Sequence, residues 1–394
     1  MKSIEDLDLA GRRVFVRVDY NVHIKDGRVT DATRIEESLP TLRLALGRGA
    51  RLVLASHLGR PGGKVAAELS LAPVAAELAR LLDTDVSLAE DCVGSEVRRA
   101  AEDLADGGVL LLENLRFHAG EEADDGDFAA ALAELADVYI NDAFGAAHRA
   151  HASTHALAAL FEERGAGLLI LEEVRQLDRL LGSPDQPFVA VVGGAKVSDK
   201  LELLESLAQR ANTVLVGGAM AYTFLAAQGH EVGSSRVETD KVDTARTLLE
   251  SAAADGTIIE LPSDHIAAES FASESESVEV SGQSIPDGLM GLDIGPATQT
   301  RYADILRRAG TILWNGPMGV FEWENFRAGT MAVAAAVADS AASSVVGGGD
   351  SLAALALSGR KDDVSHVSTG GGASLEFLAG HELPGLSAIG YQAR

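Results

Sequence analysis

Short apolar runs recur along the chain and alternate with segments of helical periodicity. The runs are RRVFVRV, RLVLAS, GVLLLEN and ADVYIND in the first half, and FVAVVGG, NTVLVGG, GTIIELP, GTILWNG and SSVVGGG in the second. Most are rich in Val, Ile and Leu without polar alternation, which is typical of parallel strands covered on both faces. Intervening segments such as APVAAELARLL and FAAALAELA repeat their apolar residues at helical spacing. This alternation predicts an α/β fold built on doubly wound parallel sheets.

The strand-like runs fall into two groups, which indicates two domains. A chain of 394 residues exceeds the size of one ordinary hydrophobic core. Between the groups lies GLLILEEVRQLDRLLGSPDQP, an amphipathic stretch ended by Gly-Ser-Pro. We therefore expect a domain at 1–167, a linking helix at 168–184 and a second domain at 185–379. The serine-rich stretch FASESESVEVSGQSIPDG is expected to form an exposed loop or edge hairpin without chemistry of its own.

The charge balance excludes several classes of partner. The formal net charge is -26, from 59 acidic against 33 basic residues, and neither nucleic acid nor an anionic membrane suits such a surface. A carboxylate-coated surface of this kind suggests adaptation to high ionic strength, where salt screens self-repulsion. The single cysteine, Cys92, excludes an internal disulfide and a thiolate-rich metal site, and is expected to be an inert buried thiol. Without an apolar run of membrane-spanning length, the protein is expected to be soluble and cytoplasmic.

Polar residues follow the strand-like runs of the first half, at the edge where open α/β sheets bind ligands. Arginine grips phosphate or carboxylate bidentately, so several arginines there indicate a small, highly charged anion. Ordinary pairing of each arginine with a surface carboxylate remains the alternative. Two of the histidines are spaced i,i+3, as metal ligands can be, but the arginine between them disfavours a cation site. The residues of this basic edge are Arg17, Asp19, Asn21, Arg34, His57, Arg60, Arg116, His148, Arg149 and His151.

In the second half the strand-like runs are followed by glycines. GGAKVSDK, GGGDSLAAL and TGGGASLEF each open into a helix-like segment, as a backbone that approaches phosphates closely would require. None matches the Walker pattern or the dinucleotide fingerprint, which disfavours a P-loop NTPase and a nicotinamide dehydrogenase. Asp350 could hold Mg²⁺ directly or through water, or could be a helix N-cap.

Two of the seven lysines, Lys196 and Lys200, stand four residues apart after a Gly-Gly pair. The sequence predicts that both lie at the start of a helix, where like charges repel and oppose the helix dipole. An anionic ligand would compensate this cost. A solvated surface pair is the alternative.

Taken together, the motifs resemble the phosphoglycerate kinase family along essentially the whole chain. The motifs that carry the resemblance are RVDYN, DATRI, SHLGRP, ENLRFH, NDAFGAAHRAHAS, PFVAVVGGAKVSDK, GGAMAYTFL, GLDIGP, WNGPMGVFE, GGGDS and STGGGAS. The resemblance implies two Rossmann-like domains joined by a helix, with a C-terminal tail, 380–394, returning to the first domain. It also implies Mg²⁺-dependent, reversible transfer of the acyl phosphate of 1,3-bisphosphoglycerate to ADP, giving 3-phosphoglycerate and ATP.

The resemblance further implies a role for each matching residue. Arg34 and Lys196 would be catalytic, with Gly371 and Gly372 cradling the transferred group. All residues of the basic edge except Arg17 would bind the triose, including Arg34. Asp350 would be the metal ligand, Lys200 would bind nucleotide phosphates and Glu322 the ribose. The rest of the implied nucleotide site is Gly193, Gly194, Ala195, Gly217, Gly218, Asn315, Pro317, Gly348, Gly349 and Ser351.

Because the two substrates would occupy different domains, the resemblance implies that the domains close by hinge bending near residues 168–190. It favours a monomer. The alternatives are a catalytically silent nucleotide-binding scaffold, which loss of Arg34, Lys196, Lys200 or Asp350 would have favoured, and a dehydrogenase of similar build.

Overall fold

Two six-stranded parallel sheets form the framework of the chain in a computed structural model, which describes residues 1–392. The chain divides into two compact units, each built around one of these sheets. Unit 1 comprises residues 1–175 and the described residues from His381 onward, and unit 2 comprises Gln176–Gly380.

The sheet of unit 1 has the order β5-β6-β4-β1-β7-β8, and all its pairings are parallel. Its strands are β1 (Arg13–Arg17), β4 (Arg51–Ala55), β5 (Val86–Leu88), β6 (Val109–Leu111), β7 (Val138–Asn141) and β8 (Arg164–Ala166). Val14, Phe15 and Val16 are consecutive and fully buried, so β1 is covered on both faces as its sequence predicts. The chain runs outward from β1 to one side and then to the other, so the topological switch point lies at the carboxyl end of β1.

The helices of unit 1 cover both faces of this sheet. They are α1 (Thr33–Gly47), α2 (Ala72–Leu82), α3 (Ser95–Glu102), α4 (Ala119–Glu122), α5 (Gly126–Ala133), α6 (Ala156–Ala159) and, near the C-terminus, α15 (Pro384–Ser387). A two-stranded antiparallel hairpin, β2 (Ile24–Lys25) with β3 (Arg28–Val29), precedes α1. The segment around α15 belongs to this unit, where the backbone N–H of Gly385 donates to the carbonyl oxygen of Ala147 at 2.9 Å.

The sheet of unit 2 has the order β11-β10-β9-β15-β16-β17 and is also parallel. Its strands are β9 (Phe188–Val192), β10 (Thr213–Val216), β11 (Ile258–Glu260), β15 (Thr311–Asn315), β16 (Ser343–Gly347) and β17 (His366–Ser368). The chain starts at β9 and extends to either side of it, which places the switch point directly before Gly193. The helices are α8 (Leu201–Ala208), α9 (Met220–Ala227), α10 (Val242–Asp255), α11 (Pro296–Leu306), α12 (Ala328–Ala338), α13 (Gly349–Ser358) and α14 (Gly372–Leu378).

A small antiparallel sheet, β13-β12-β14, adjoins these elements in unit 2. Its strands are β12 (Asp264–Ala268), β13 (Val278–Ser281) and β14 (Met290–Ile294). Edge strand β13 comes from the serine-rich stretch, in agreement with the predicted edge hairpin.

Helix α7 (Leu168–Gly182) occupies the stretch predicted to link the domains. The boundary between the two units falls inside it, between Arg175 and Gln176. The chain returns to unit 1 after Gly380, close to the start of the tail predicted at 380–394. Residues 393 and 394 of that tail lie outside the described residues.

Candidate active site

The cations of the basic edge lie at the carboxyl ends of β1, β4, β6 and β7 in unit 1. Arg17 ends β1, and Asp19 and Asn21 follow it; His57 and Arg60 follow β4. Arg116 lies in a short 3-10 helix after β6, and the segment from His148 to His151 follows β7. Arg34 belongs to the first turn of α1. Parallel strands end at one edge of their sheet, which brings these residues of distant sequence to one face of unit 1.

A network of charged groups surrounds Asp19 at this edge. Arg34 Nη1 donates to Asp19 Oδ2 at 2.6 Å, and the fully buried Arg17 places Nη2 3.1 Å from His57 Nδ1. Burial alone would raise the pKa of the Asp19 carboxyl, but His57, Arg34 and Arg17 lower it. Burial lowers the pKa of His57 to about 3 despite the nearby Asp19. His57 is therefore neutral at pH 7, and there the two arginines supply the attraction that keeps Asp19 ionised.

Arg116 is almost fully buried, and its guanidinium connects the loop after β4 with the end of α4. Its Nη1 donates to the carbonyl oxygen of Gly59 at 2.8 Å, and its Nε lies 3.2 Å from Glu122 Oε1. Burial lowers the pKa of Arg116, and Glu122 opposes this while Arg149 and Arg17 add to it. A site that confines several cations in this way favours an anionic ligand.

The histidine segment after β7 has the same positive environment. Arg149 Nε donates to His148 Nε2 at 3.1 Å. Burial, followed by Arg116, Arg17 and Arg149, lowers the pKa of His151 to about 4. A neutral His151 imidazole beside these arginines can donate one hydrogen bond to an anion without adding charge.

Simple pairing of arginines with carboxylates describes only part of this edge. Arg34 pairs with Asp19 and Arg116 with Glu122, whereas Arg60 is exposed and has no ion pair within residues 1–392. Asn21 has a structural contact: its Oδ1 accepts the backbone N–H of Gly59 at 2.9 Å, which joins the loops after β1 and β4.

In unit 2, three loops with glycine pairs line a cavity of about 350 Å³, and residues 315–317 at the end of β15 complete the lining. The loops follow β9, β16 and β17, and they bring together glycine pairs that are far apart in the sequence. Every nucleotide-site and catalytic residue predicted for this half lines this cavity or a second one described below, except Gly217. The lining of the first cavity is Gly193, Gly194, Ala195, Lys196, Asp199, Lys200, Asn315, Gly316, Pro317, Gly348, Gly349, Asp350, Ser351, Gly371, Gly372 and Leu375.

Backbone packing requires glycine at the switch point. A Cβ on Gly193 would lie 2.0 Å from the carbonyl oxygen of Pro317, which is shorter than any van der Waals contact. Gly217 lines neither cavity, and a Cβ there would lie 2.4 Å from Met318 Sδ. We therefore attribute the glycine at 217 to packing.

The prediction that both lysines lie in one helix start is wrong. Helix α8 begins at Leu201, with Lys200 at its N-cap, and Lys196 lies in the preceding loop. Glu238 holds that loop by accepting the backbone N–H groups of Val197 and Ser198 and the hydroxyl of Ser198. The loop replaces the first helical turn, so the lysines do not repel as an i,i+4 helical pair.

Lys200 and Asp350 face the same cavity with opposite charges. Lys200 Nζ donates to Asn315 Oδ1, and burial lowers the pKa of Lys200 while Asp350 and Asp199 oppose this. Asp350 is exposed in the first turn of α13, and the N-cap position belongs to Gly348, so Asp350 is not the N-cap. Magnesium on phosphates takes one or two protein carboxylates, and an exposed carboxylate on a glycine-lined cavity fits this requirement.

A second, more apolar cavity of about 440 Å³ adjoins the first and contains Glu322, Gly218 and Asp350. Several of its lining residues were not found by sequence reasoning: Ala219, Ser234, Arg236, Phe271, Met290, Gly291, Leu292, Gly319 and Val320. Phe271, the first residue of the serine-rich stretch that is expected to have no chemistry of its own, also lines this cavity. Phe271 is 64% exposed and packs against Trp323 with ring centroids 4.5 Å apart. An exposed aromatic on an apolar cavity suits a flat ligand.

Among residues 1–392, no helix is both long and apolar enough to cross a membrane.

Comparisons with known proteins match a single family along the chain. The family model "Phosphoglycerate kinase" matches residues 4–381. Relatives named phosphoglycerate kinase include that of Anaeromyxobacter sp. (strain K), 55% identical over 98% of this chain and 99% of its own, and that of Chlorobium chlorochromatii, 52% identical over 98% and 99%.

Solved structures of the same family share the fold. Phosphoglycerate kinase from Coxiella burnetii matches with a TM-score of 0.91 and 42% identity over 100% of both chains. That from Pyrococcus horikoshii matches with a TM-score of 0.86 and 36% identity over 99% of this chain and 98% of its own. The chain therefore belongs to the phosphoglycerate kinase family, glycolytic phosphotransferases that act reversibly on a carboxyl-group acceptor.

Proposed function

We propose that this chain transfers the acyl phosphate of 1,3-bisphosphoglycerate directly and in line to ADP, with the triose on unit 1 and the nucleotide on unit 2. The observation that carries the proposal is the meeting of three loops with glycine pairs, two lysines and Asp350 around one cavity. Phosphoryl transfer of this kind depends on positioning and on stabilising the charge of the equatorial oxygens. Backbone N–H groups and lysine ammonium groups supply both.

On unit 1, Arg34 is proposed to bind the carboxyl end of the triose, where the transferred phosphoryl group is attached. Its pairing with Asp19 at 2.6 Å supports this role because the carboxylate holds the guanidinium in one orientation before substrate binds. The distal phosphate is assigned to the other residues of the edge. These are Asn21, His57, Arg60, Arg116, His148, Arg149 and His151, with Asp19 acting as the positioning carboxylate.

On unit 2, the nucleoside is assigned to the second cavity, with Glu322 on the ribose hydroxyls. Gly194, Ala195, Gly218 and Pro317 then form part of its wall, Gly193 lines the first cavity, and Gly217 supports the site by packing against Met318. The phosphates extend into the first cavity, toward Lys200, Asn315 and the start of α13 at Gly348–Ser351. Lys196, Gly371 and Gly372 are assigned to the phosphoryl group in transfer.

Magnesium is proposed as the cofactor, with Asp350 as its protein ligand. When bound with ATP or ADP, the ion neutralises phosphate charge and orients the phosphate chain. Lys200 lies close enough to Asp350 to respond to its charge, so this lysine can bind the same phosphates from another direction.

We further propose that the chain acts as a monomer in the cytoplasm and partners neither nucleic acid nor membranes. The domains are assigned as 1–167 with the tail 380–394, and 185–379, with hinge bending near 168–190 in and around α7. Closure would exclude water, which otherwise hydrolyses the acyl phosphate. Small-angle scattering should show compaction only when both substrates are bound, and unchanged dimensions would refute the hinge.

A coupled assay with 3-phosphoglycerate, ATP and Mg²⁺ tests the function. We expect activity in the wild type, and a loss of about 10²-fold or more in kcat for Lys196→Ala, because one preorganised charge leaves the transition state. The matched control is Lys361→Ala, an exposed lysine of the same unit that lines neither cavity, and it should retain full activity. A wild type that binds ATP without turnover would instead identify a silent scaffold.

A further inference from the structure

Cys92, Asp91 and His118 form a cluster on unit 1 that the proposed reaction does not use. The thiol sulfur, one carboxylate oxygen and one imidazole nitrogen all lie within 4.8 Å of one another. They come from two separate segments, the loop after β5 and the residue that ends the 3-10 helix after β6. We propose that these three side chains bind a borderline-soft divalent cation of the Zn²⁺ class.

The distances suit such an ion after a small adjustment. Zn²⁺ binds sulfur at about 2.3 Å and nitrogen or oxygen at about 2.0–2.2 Å, so tetrahedral donors lie roughly 3.4–3.6 Å apart. His118 Nε2 is now 2.5 Å from Asp91 Oδ1, and these two donors would have to separate by about 1 Å to admit an ion. The remaining tetrahedral position is open to water, because the Asp91 and His118 side chains are 52% and 30% exposed.

The surrounding structure holds the three donors in place. The His118 ring stacks on Phe128 with centroids 5.0 Å apart, which fixes its orientation. The backbone N–H of Cys92 donates to Asp91 Oδ1 at 2.6 Å, and the thiol donates to the carbonyl oxygen of Glu113 at 2.9 Å. Ligands restrained in this way by their neighbours are typical of metal sites.

The chemistry of the donors also suits a cation. On binding a divalent ion, the Cys92 thiol would release its proton to solvent and the thiolate would bind the metal, with Asp91 contributing a carboxylate. One sulfur, one imidazole and one carboxylate together select Zn²⁺ or Co²⁺ over the hard ions Mg²⁺ and Ca²⁺.

Titration of the full-length chain with Co²⁺, a spectroscopic substitute for Zn²⁺, tests the site. Thiolate coordination gives a charge-transfer absorption in the near ultraviolet, and Cys92 is the only thiol in the chain. Co²⁺ bound elsewhere, for example at the histidines of the basic edge, cannot produce this band. We expect it to saturate at one equivalent and to be weakened by competing Zn²⁺.

Variants distinguish a metal site from a histidine–aspartate ion pair that merely lies beside a buried thiol. Cys92→Ser should abolish the band, and His118→Ala should raise the Kd for Co²⁺ at least about tenfold, the loss that even outer-shell changes produce. The matched control is His155→Ala, which removes a second histidine–aspartate pair, His155 Nδ1 to Asp124 Oδ2 at 2.7 Å, that has no cysteine nearby. The control should bind as the wild type does.

Absence of the band in the wild type, or an unchanged Kd in His118→Ala, would overturn the proposal. Circular dichroism of the metal-free variants verifies that they fold. Should Cys92→Ser not fold, the band in the wild type and the Kd of His118→Ala decide the question without it.

Discussion

Replacing Asp142 with asparagine should stabilise the protein at neutral pH and have little effect in acid. Asp142 is fully buried directly after β7, and its Oδ1 accepts the backbone N–H groups of Leu169 at 3.0 Å and Ile170 at 3.4 Å. It therefore caps the first turn of α7, the proposed hinge helix. Its Oδ2 is buried without a hydrogen bond of normal geometry. Asparagine retains the Oδ1 acceptor and removes the charge.

The magnitude follows from the pKa of this carboxyl. Burial raises the pKa of Asp142 from 3.8 to about 7. Because the folded-state pKa lies above the unfolded value, stability is fully present below about pH 3.8 and is lost as the pH rises through about 7. At 1.36 kcal/mol per pH unit, the loss between pH 4 and pH 7 is about 3 kcal/mol. Asp142→Asn avoids this loss.

Urea denaturation followed by circular dichroism, at several pH values between 4 and 7, measures the effect. The difference in unfolding free energy between Asp142→Asn and the wild type should grow by about 3 kcal/mol in favour of the variant across this range. Hydrogen exchange at the Leu169 and Ile170 amides verifies that the cap survives the substitution.

Asp137→Asn is the matched control with the opposite sign. Asp137 pairs with Arg13 at 2.8 Å, and although burial raises its pKa, the hydrogen bonds and charge of Arg13 lower it overall. Its contribution is present at neutral pH and lost in acid, so Asp137→Asn should cost most at pH 7. A pH-independent difference for Asp142→Asn would refute the assignment of an ionising, destabilising carboxylate at the start of α7.

Three further predictions concern the second unit and the surface. Phe271→Ala should raise KM for ATP about 3- to 10-fold and leave KM for 3-phosphoglycerate unchanged. The reason is that an aromatic contact worth about 1 kcal/mol is lost from the second cavity alone. Equal changes in both KM values would contradict the assignment. Gly217→Ala should lower the free energy of unfolding by about 1–3 kcal/mol, since the new Cβ would lie 2.4 Å from Met318 Sδ. The control is Gly126→Ala, at an exposed position where a Cβ would meet no atom within 4 Å and the backbone is not left-handed. Raising the salt concentration from about 0.1 M to 1 M shortens the screening length from about 10 Å to 3 Å. A chain of net charge -26 should therefore have a higher melting temperature in 1 M salt. An unchanged melting temperature would refute the hypothesis of adaptation to high salt.

The sequence determines much of the architecture because a buried parallel strand is encoded by a continuous apolar run in its own residues. All nine apolar runs became strands of the two sheets, and the linking segment became α7. The strands that sequence reasoning missed in these sheets are the short edge strands β5, β8 and β17, of three residues each. Their sequences, VSL, RGA and HVS, contain polar residues or glycine and form no apolar run, whereas β6 and β11 are equally short but lie in apolar runs.

The glycine runs and the cations that follow the strands could likewise be read from the sequence, because each lies next to its own strand. Only the tertiary structure decided which of them meet. The glycines after β9, β16 and β17 line one cavity because those strands end at the same edge of the sheet.

Local sequence does not predict helix starts or charge states correctly where long-range contacts override helix propensity or shift pKa values. Glu238 holds the lysine segment as a loop, so Lys196 and Lys200 do not share a helix. Burial beside arginines makes His57 and His151 neutral. Sequence therefore specified the strands and the chemistry at their ends, whereas folding set the charge states and the partners, because both depend on what surrounds a side chain in space.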